Sequence, residues 1–436
     1  MPFIRRSFTV LSAILIVSVG FAQNQGGYKC LSFDGTDDYV QIQDDTSLNP
    51  TTAITIEAWI NADSYGTNIY DNSIFCKHGW GRGNQGYVLR CGDNGKLSFN
   101  IADAGGTWRE AQSSSLMSTG KWYHVAGSYD GDSVNIYLNG ILVGTNRVST
   151  TISASSGLTA RIGDLAYGGG RRFDGMIDEV RVWSVAVDEE NIRKYMCRKN
   201  LNNHPNLANL SGYWQLNETS GTSSADASNR GNTGTQNNGP TVQNSGAVIG
   251  DTSVVTIGSQ DLTLKTSFGD EMQIQSISGS PSYFHLIADY AKSSQSVTSG
   301  SSIDTTHYFS VHYPEDTSVK FDVSYHFGNL KGLGSAGKCA IHLFKKSPGR
   351  TGTWSDSKAD FSFSGDSLFL EDQKNSEFVA AFQVTDSNDV ITSNTGKFYL
   401  CGDDKLTLTA AGSDSFTYTW YMNDSTLWGN TKRQLE

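Results

Sequence analysis

Several features that commonly mark a particular function are missing from this 436-residue sequence. None of its 6 cysteines belongs to a Cys-x-x-Cys pair, which leaves a zinc or redox site with little support. No stripe rich in lysine or arginine interrupts a formal net charge of −11. Because an acidic surface repels phosphate, nucleic acid and anionic membrane surfaces are disfavoured as partners.

Proline and charge are also scarce, whereas glycine and aromatic residues are plentiful. The chain has 7 prolines and 18% charged residues, against 46 glycines and 11% aromatics. Ser, Thr, Asn and Asp fill the gaps between short apolar runs, as expected of many short strands that reverse direction. The composition therefore predicts folded, turn-rich β domains rather than a disordered chain.

Only one apolar run is long enough to suggest targeting. Arg5 and Arg6 precede the apolar stretch 8–21, and Gly20 and Ala22 are small residues at the spacing that signal peptidase requires. Fourteen residues are short for a membrane span. We expect residues 1–22 to be a signal peptide, the mature protein to be secreted or at the cell surface, and no membrane span to remain after cleavage.

Turn and cap signals predict the local structure of the first 200 residues. Asp130-Gly131 and Asn139-Gly140 favour tight hairpins and so predict a meander of three strands over 123–145. Asp188 is placed to cap a short helix over 188–195. Trp59, Trp183 and Trp214 lie in apolar strand patterns and are expected in the core, as is Trp122.

Changes in composition and in predicted strand content divide the chain into five parts. After residues 1–22 we expect a strand-rich domain over 23–200 and a Ser/Asn/Gly-rich segment over 201–250. That segment is either a connector or a strand returning to the first domain. Strands resume over 251–392, which predicts a second β-sandwich. Residues 393–436 resemble the opening of an immunoglobulin-like module that is too short to close.

Three stretches together resemble the laminin-G-like, concanavalin A-like jelly-roll domains of secreted multidomain proteins. They are LSFDGTDDYV (31–40), WYHVAGSYDG (122–131) with IYLNG (136–140), and IGD (162–164) with FDGMIDEVRVW (173–183). They occur in the family's order and at suitable separations. The resemblance implies an all-β fold, with a jelly roll followed by a second sandwich and a truncated module, and it implies recognition of a glycan or an extracellular protein.

The acidic turn after the first predicted strand suggests a metal. The resemblance implies that the first and last strands pair, which would bring Asp34 near Asp178, and members of the family often hold one structural calcium there. Asp37 is the next candidate ligand, because calcium binds carboxylate oxygens. The alternative is ordinary turn chemistry, since Asp and Gly form tight turns without any metal.

A glycine-rich aromatic loop is the predicted ligand site. Trp80, Arg82 and Asn84 combine an aromatic platform with hydrogen-bonding side chains, and Trp108 with its polar neighbours forms a second patch. Tyr65 and Tyr70 form a third. The alternative for such a tryptophan is closing the end of a sandwich core.

The sequence carries little sign of catalysis, so we expect a non-catalytic binding or adhesion protein. It has no Gly-x-Ser-x-Gly or His-Glu-x-x-His motif. The same-face carboxylate pair that a glycoside hydrolase needs is also missing from its predicted strands. A structural spacer within a surface array is the first alternative, and a glycoside hydrolase is the second.

Export would permit disulfides among the cysteines. Cys76 and Cys91 end two neighbouring predicted strands, which makes a bridge between them possible. Cys30 and Cys197 lie near the two ends of the first domain, where a bridge would close a long loop. Buried free thiols are the alternative.

Overall fold

The structure is a computed structural model that describes residues 29–79, 85–166 and 170–290 and, after residue 300, a series of shorter segments. These segments are 301–303, 306–314, 319–327, 341–346, 354–357, 361–364, 367–374, 376–383, 391–393, 408–410, 421–422, 425–426 and 434–435. The sheets of these residues are antiparallel throughout, so the predicted all-β class is confirmed.

Two sheets formed by residues 29–244 face each other in a first sandwich. Their strands are β1 (Lys29–Asp34), β2 (Tyr39–Ile42), β3 (Ile54–Ala62), β4 (Ser73–His78), β5 (Gly86–Arg90), β6 (Lys96–Ala102), β7 (Trp108–Leu116), β8 (Tyr123–Tyr129), β9 (Ser133–Leu138), β10 (Ile141–Arg147), β11 (Ala160–Ile162), β12 (Asp174–Trp183), β13 (Leu210–Trp214), β14 (Ser223–Ser224), β15 (Gly234–Asn237) and β16 (Thr241–Asn244). Sheet one has the order β10-β9-β8-β3-β12-β1-β16, with β13 also paired to β12. Sheet two has the order β14-β15-β2-β11-β4-β5-β6-β7.

Strands from residues 201–250 complete this first sandwich. β16 pairs with β1, β15 pairs with β2, and β13 pairs with β12. The segment is therefore part of the sandwich rather than a connector. Its polar composition agrees with the edge positions of β14 and β16, each of which has only one neighbouring strand among those described.

A continuous apolar core fills the space between the two sheets. Phe75 of sheet two stacks against Trp214 with ring centroids 5.7 Å apart, and both side chains are fully buried. Trp59 and Trp183 are buried as predicted, but on the outer face of sheet one. Trp122 is only partly buried.

The outer face of sheet one is covered, which explains why all nine positions of β3 are buried. The cover includes the helix α1 (Glu189–Tyr195) and the side chain of Leu201. Two 3-10 helices occupy Thr46–Leu48 and Leu207–Asn209. Asp188 caps α1 by accepting a hydrogen bond from the Asn191 amide, as the sequence predicted. The predicted meander is also present, as β8-β9-β10.

Residues 252–383 contribute a second pair of sheets. Their strands are β17 (Thr252–Ile257), β18 (Leu262–Lys265), β19 (Glu271–Gln275), β20 (Tyr283–Asp289), β21 (Ser301–Ile303), β22 (Tyr308–His312), β23 (Phe321–His326), β24 (Ile341–Lys346), β25 (Ser355–Asp356), β26 (Phe361–Ser364), β27 (Ser367–Gln373) and β28 (Glu377–Gln383). One sheet has the order β17-β20-β22-β28-β24-β25, with β21 on β28, and the other β18-β19-β23-β27-β26. An apolar cluster drawn from both sheets lies between them.

The two ends of the chain are described less completely than the two sandwiches. The predicted signal peptide, residues 1–22, lies outside the described residues. After residue 390 the described strands are β29 (Ile391–Ser393), β30 (Leu408–Ala410), β31 (Tyr421–Met422), β32 (Ser425–Thr426) and β33 (Gln434–Leu435). They do not test the immunoglobulin-like interpretation. Among the described residues, no helix has the length and apolar character to cross a bilayer.

Candidate functional site

An aromatic and polar surface lies on the outer face of sheet two. Strand register places His78 opposite Gly86 in β5, and Ala102 of β6 opposite Trp108 of β7. Because Gly86 and Ala102 have little or no side chain, the rings of His78 and Trp108 meet above them. They pack edge to face with centroids 5.7 Å apart. His78 is 4% exposed and Trp108 is partly exposed.

Beside these rings, a polar network is built around Arg90. Its guanidinium lies 4.6 Å from the ring centroid of Tyr70 and 3.4 Å from the Glu110 carboxylate. Asn100 donates a second hydrogen bond to Glu110 at 3.0 Å, and Gln112 donates a third at 2.8 Å. Tyr70 is 50% exposed, so one face of its ring rests on a cation and the rest meets solvent. We call Tyr70, His78, Arg90, Asn100, Trp108 and Glu110 the aromatic face.

The charges around the aromatic face are paired. Arg109 binds Asp103 at 2.7 Å, and Arg171 binds Asp71 at 2.5 Å. Burial, with a smaller effect from the Arg90 charge, lowers the pKa of His78 to about 4. His78 is therefore neutral near pH 7 and contributes a hydrogen-bonding, partly apolar ring rather than a cation.

The predicted ligand loop begins and ends at this surface. Trp80, Arg82 and Asn84 themselves lie outside the described residues. The residues on either side are described: the Gly79 amide donates to the Gln85 carbonyl at 3.0 Å and closes the base of the loop beside His78. Trp108, the fourth predicted ligand residue, therefore lies near the base of the same loop.

Sequence reasoning missed Arg90 and Asn100, and it grouped Tyr70 with the wrong neighbour. Tyr65 packs against the sandwich core, whereas Tyr70 lies over Arg90. A usable signal was present, because Arg90 and Asn100 are polar residues in apolar strands that read YVLR and LSFNIA. Such residues mark the face of a strand that does not point into the core.

The acidic turn brings together a different set of carboxylates from the one predicted. Ligand oxygens of Asp34, Asp37 and Asp38 all lie within 4.8 Å of one another. Asp34 also accepts hydrogen bonds from the Thr36 and Asp37 amides, which lower its pKa. Several oxygens at this spacing fit a hard cation such as calcium, although the same hydrogen bonds occur in a turn without metal.

The expected convergence of Asp34 with Asp178 is wrong. Asp34 is paired with Asp174 in the β1–β12 ladder, and Asp178 lies four residues farther along β12. At about 3.3 Å per residue, this separates the two backbones by about 13 Å. Asp178 is instead fully buried, where it accepts a hydrogen bond from the Ser245 hydroxyl.

The predicted Cys76–Cys91 and Cys30–Cys197 disulfides are also wrong, because neither pair is bonded and all four cysteines are buried. Cys76 is paired in register with Val88, three residues short of Cys91. The two side chains also point to opposite faces, since Cys91 packs in the core between the sheets and Cys76 packs outside it. Cys30 lies in the β1–β16 ladder, whereas Cys197 packs with Trp59 beyond α1.

A second polar cluster, beneath α1, is enclosed rather than open. Glu57 binds His124 at 3.2 Å and accepts a 3.0 Å hydrogen bond from the Trp183 indole. Burial by itself would raise the pKa of Glu57, but His124 and the Arg181 charge outweigh it and lower the pKa to about 2. Glu57, His124 and Arg181 are each at most 3% exposed, so this cluster holds α1 and sheet one together and offers no surface to a ligand.

The order and geometry of the first sandwich agree with a known family. Residues 34–193 match the Laminin_G_3 family model, described as the concanavalin A-like lectin/glucanases superfamily. The first sandwich is a concanavalin A-like jelly roll. The laminin-G-like resemblance is thus confirmed for this domain, and the family model does not extend over the second sandwich.

Solved structures resemble this chain at low identity. A "putative carbohydrate binding protein" from Bacteroides ovatus is 27% identical, with a TM-score of 0.41 over 51% of this chain, which spans 62% of that protein. A pentraxin from Limulus polyphemus is 18% identical, with a TM-score of 0.36, covering 50% of this chain and 96% of its own. The Ruminococcus gnavus sialidase module CBM40, solved with sialyllactose, is 12% identical with a TM-score of 0.30, covering 38% and 97%. No curated protein sequence matches the chain.

Proposed function

We propose that this protein is a secreted, non-catalytic glycan-binding protein and that the aromatic face of the jelly roll is its binding surface. The observation that carries the proposal is the meeting of Tyr70, Arg90, Glu110 and Trp108 on one outer sheet face. These residues come from three separate patches of the sequence, and the fold places them side by side.

The chemistry of this face suits a sugar. Sugars present flat C–H surfaces and directional hydroxyl groups, so they are bound by an aromatic ring together with fixed polar side chains. Tyr70 and Trp108 supply partly exposed rings. The Glu110 carboxylate, held by Arg90 and Asn100, supplies a positioned acceptor with 26% of its side chain exposed.

The pairing of carboxylates with arginines at this face favours binding over hydrolysis. The family description covers both lectins and glucanases, and a fold by itself does not decide between them. Hydrolysis of a glycosidic bond requires two carboxyl groups facing the scissile bond. The carboxylates at this face, Glu110, Asp71 and Asp103, are each paired with an arginine.

Affinity electrophoresis and calorimetry with a panel of soluble polysaccharides test the proposal on the full chain. Trp108→Ala and Tyr70→Ala are expected to weaken binding of any retained glycan about tenfold or more, as for aromatic anchors in other interfaces. Leu116→Ala is the matched control, because Leu116 is 57% exposed at the far end of the same strand as Trp108. Unchanged binding by both aromatic variants, or release of reducing sugar by the wild type, would contradict it.

A structural calcium at Asp34, Asp37 and Asp38 forms part of the proposal, as do the signal peptide at residues 1–22 and an extracellular or cell-surface location. The support for calcium is the close grouping of the three carboxylates. The support for export is the apolar run after Arg5 and Arg6.

A spacer in a surface array is the second candidate function. The observation in its favour is the close packing of the two sandwiches: Lys199 binds both Asp251 and Asp289, and Arg198 bonds to Ser253. A spacer would retain no glycan in the panel, and an extracellular protein partner would then be sought by other means.

A further inference from the structure

Three histidines lie where the two sandwiches meet. His285 and His312 are directly opposite each other in the β20–β22 ladder, with ring centroids 6.4 Å apart. The ring of Trp59, from sheet one of the jelly roll, packs edge to face on His312 at 5.6 Å and on His124 at 5.6 Å. His124, His285 and His312 are 1%, 0% and 8% exposed.

The apolar contacts around these rings join the two sandwiches. Trp59, Met196 and Ile249 from the jelly-roll side form one cluster with Tyr283 and Ile287 of β20. The Tyr283 hydroxyl lies 3.3 Å from Nε2 of His312. We call this cluster, with the three histidines, the junction.

The charged groups facing the junction come from both sandwiches. Arg193 lies with its guanidinium 5.8 Å from the Tyr283 ring and pairs with Glu189. Arg198 bonds to Ser253, and Lys199 bonds to Asp251 and Asp289. On sheet one, Glu57 and Arg181 lie beside His124, and Asp178 is opposite Trp59 in the β3–β12 ladder. On β17, His285 faces the apolar Val255. Among the described residues, no carboxylate lies within ion-pair distance of His285 or His312, so a proton on either ring would bring in a charge without a counterion.

We propose that the junction is acid-sensitive, and that the two sandwiches separate when His285 and His312 take up protons. In the closed junction these rings are buried, next to each other and near the cations Arg193 and Arg198. In the open junction they would be hydrated and free to carry charge. A buried, unpaired charge is strongly disfavoured, so protonation favours opening.

The direction of the pH effect follows from linkage. Burial, with a smaller effect from His124, lowers the pKa of His312 to about 4 from its ordinary value of 6.5. Burial, His312 and Arg198 lower the pKa of His285 well below that value. Because the open form binds protons that the closed form does not, the junction is most stable above pH 6.5 and weakens as the pH falls towards 4. For His312 alone, lowering the pH from 7.5 to 5 raises the opening constant about thirtyfold.

Hydrogen exchange of the full chain, measured by mass spectrometry at pH 7.5 and pH 5 and corrected for the intrinsic rate, tests the proposal. Peptides covering 197–199 and 247–251, whose amides bond at the junction outside the sheet ladders, are expected to lose protection about thirtyfold or more. The strands of both sandwiches, β20 included, should keep theirs. His312→Gln keeps a hydrogen-bonding group for Tyr283 but cannot be protonated, so it should reduce this loss. His326→Gln, a partly exposed histidine on β23, is the matched control and should behave as wild type.

Three outcomes would overturn the proposal. One is a loss of protection at the junction smaller than about threefold in the wild type, well below the linkage value. Another is a uniform loss across both cores, which indicates general acid unfolding. The third is equal behaviour of His312→Gln and His326→Gln. Should His312→Gln not fold, the wild-type profile alone still decides between the first two outcomes and the proposal.

Discussion

The ring of Trp108 meets the ring of His78 edge to face at 5.7 Å, although two strands, β5 and β6, separate their backbones. The contact depends on Gly86, which lies directly opposite His78 and has a φ of +80°. A Cβ at position 86 would lie 1.8 Å from the Lys77 carbonyl oxygen. The aromatic face therefore depends on a position with no room for a side chain.

Gly86→Ala is expected to destabilise the jelly roll and to displace His78 from Trp108. Both the positive φ and the clash with Lys77 backbone oppose the new methyl group, and together they should lower stability by about 3 kcal/mol or more. Thermal and urea unfolding measure the change. Gly157→Ala is the matched control, since Gly157 also has a φ of +80° but a Cβ there meets nothing within 4 Å. The control should lose only about 1 kcal/mol, and equal losses in the two variants would contradict the steric explanation.

Removal of calcium is expected to lower the unfolding midpoint by several degrees if the three clustered carboxylates hold the ion. Excess EDTA followed by calcium measures this effect, and Asp34→Asn should abolish the response. Asp130→Asn is the control, because Asp130 also accepts two turn amides, from Asp132 and Ser133, in the β8–β9 hairpin. A midpoint indifferent to EDTA would mean that residues 34–38 form a turn and nothing more.

Thiol titration should find at least four reactive cysteines in each unfolded, unreduced chain. The expected four are Cys30, Cys76, Cys91 and Cys197, which the fold keeps apart. Burial raises the pKa of the Cys76 thiol to about 12, so these cysteines should react slowly in the native protein and rapidly in guanidinium. Fewer than four thiols after unfolding would show that disulfides form in this region.

Loss of the Glu57 carboxylate should destabilise the protein at neutral pH and flatten its acid response. The pKa of Glu57 is lowered from 4.5 to about 2, so its stabilisation is complete above pH 4.5 and is lost as the pH falls through 2. The lowered pKa of Glu57 corresponds to about 3 kcal/mol of stability at neutral pH. Removing one partner of a buried ion pair costs about 3–5 kcal/mol. Urea unfolding of Glu57→Gln at pH 7 and pH 3 measures both effects. Glu190→Gln, on the exposed side of α1, should change stability by less than about 0.5 kcal/mol at either pH. If the stability of Glu57→Gln fell between pH 7 and pH 3 as steeply as that of the wild type, the lowered pKa of Glu57 would be contradicted.

Local features were predicted from the sequence because neighbouring residues encode them. Asp130-Gly131 and Asn139-Gly140 form the two hairpins of the meander, and Asp188 caps α1. A turn or a cap is settled by the φ preference and side-chain hydrogen bonds of a few adjacent residues, so no distant contact is needed to identify it. The motifs of the first domain were likewise sufficient to predict the jelly roll.

What the sequence by itself determined about this protein is its β class, its turns, its helix and the residue types available for the proposed glycan site. Only the tertiary structure decided that Asp34 lies opposite Asp174, that Cys76 and Cys91 face opposite ways, and that Tyr70 rests on Arg90 beside Trp108. The physical reason is that strand register and sheet order depend on contacts between residues far apart in the chain. A shift of one residue turns a side chain to the other face, and a different neighbouring strand gives it different partners.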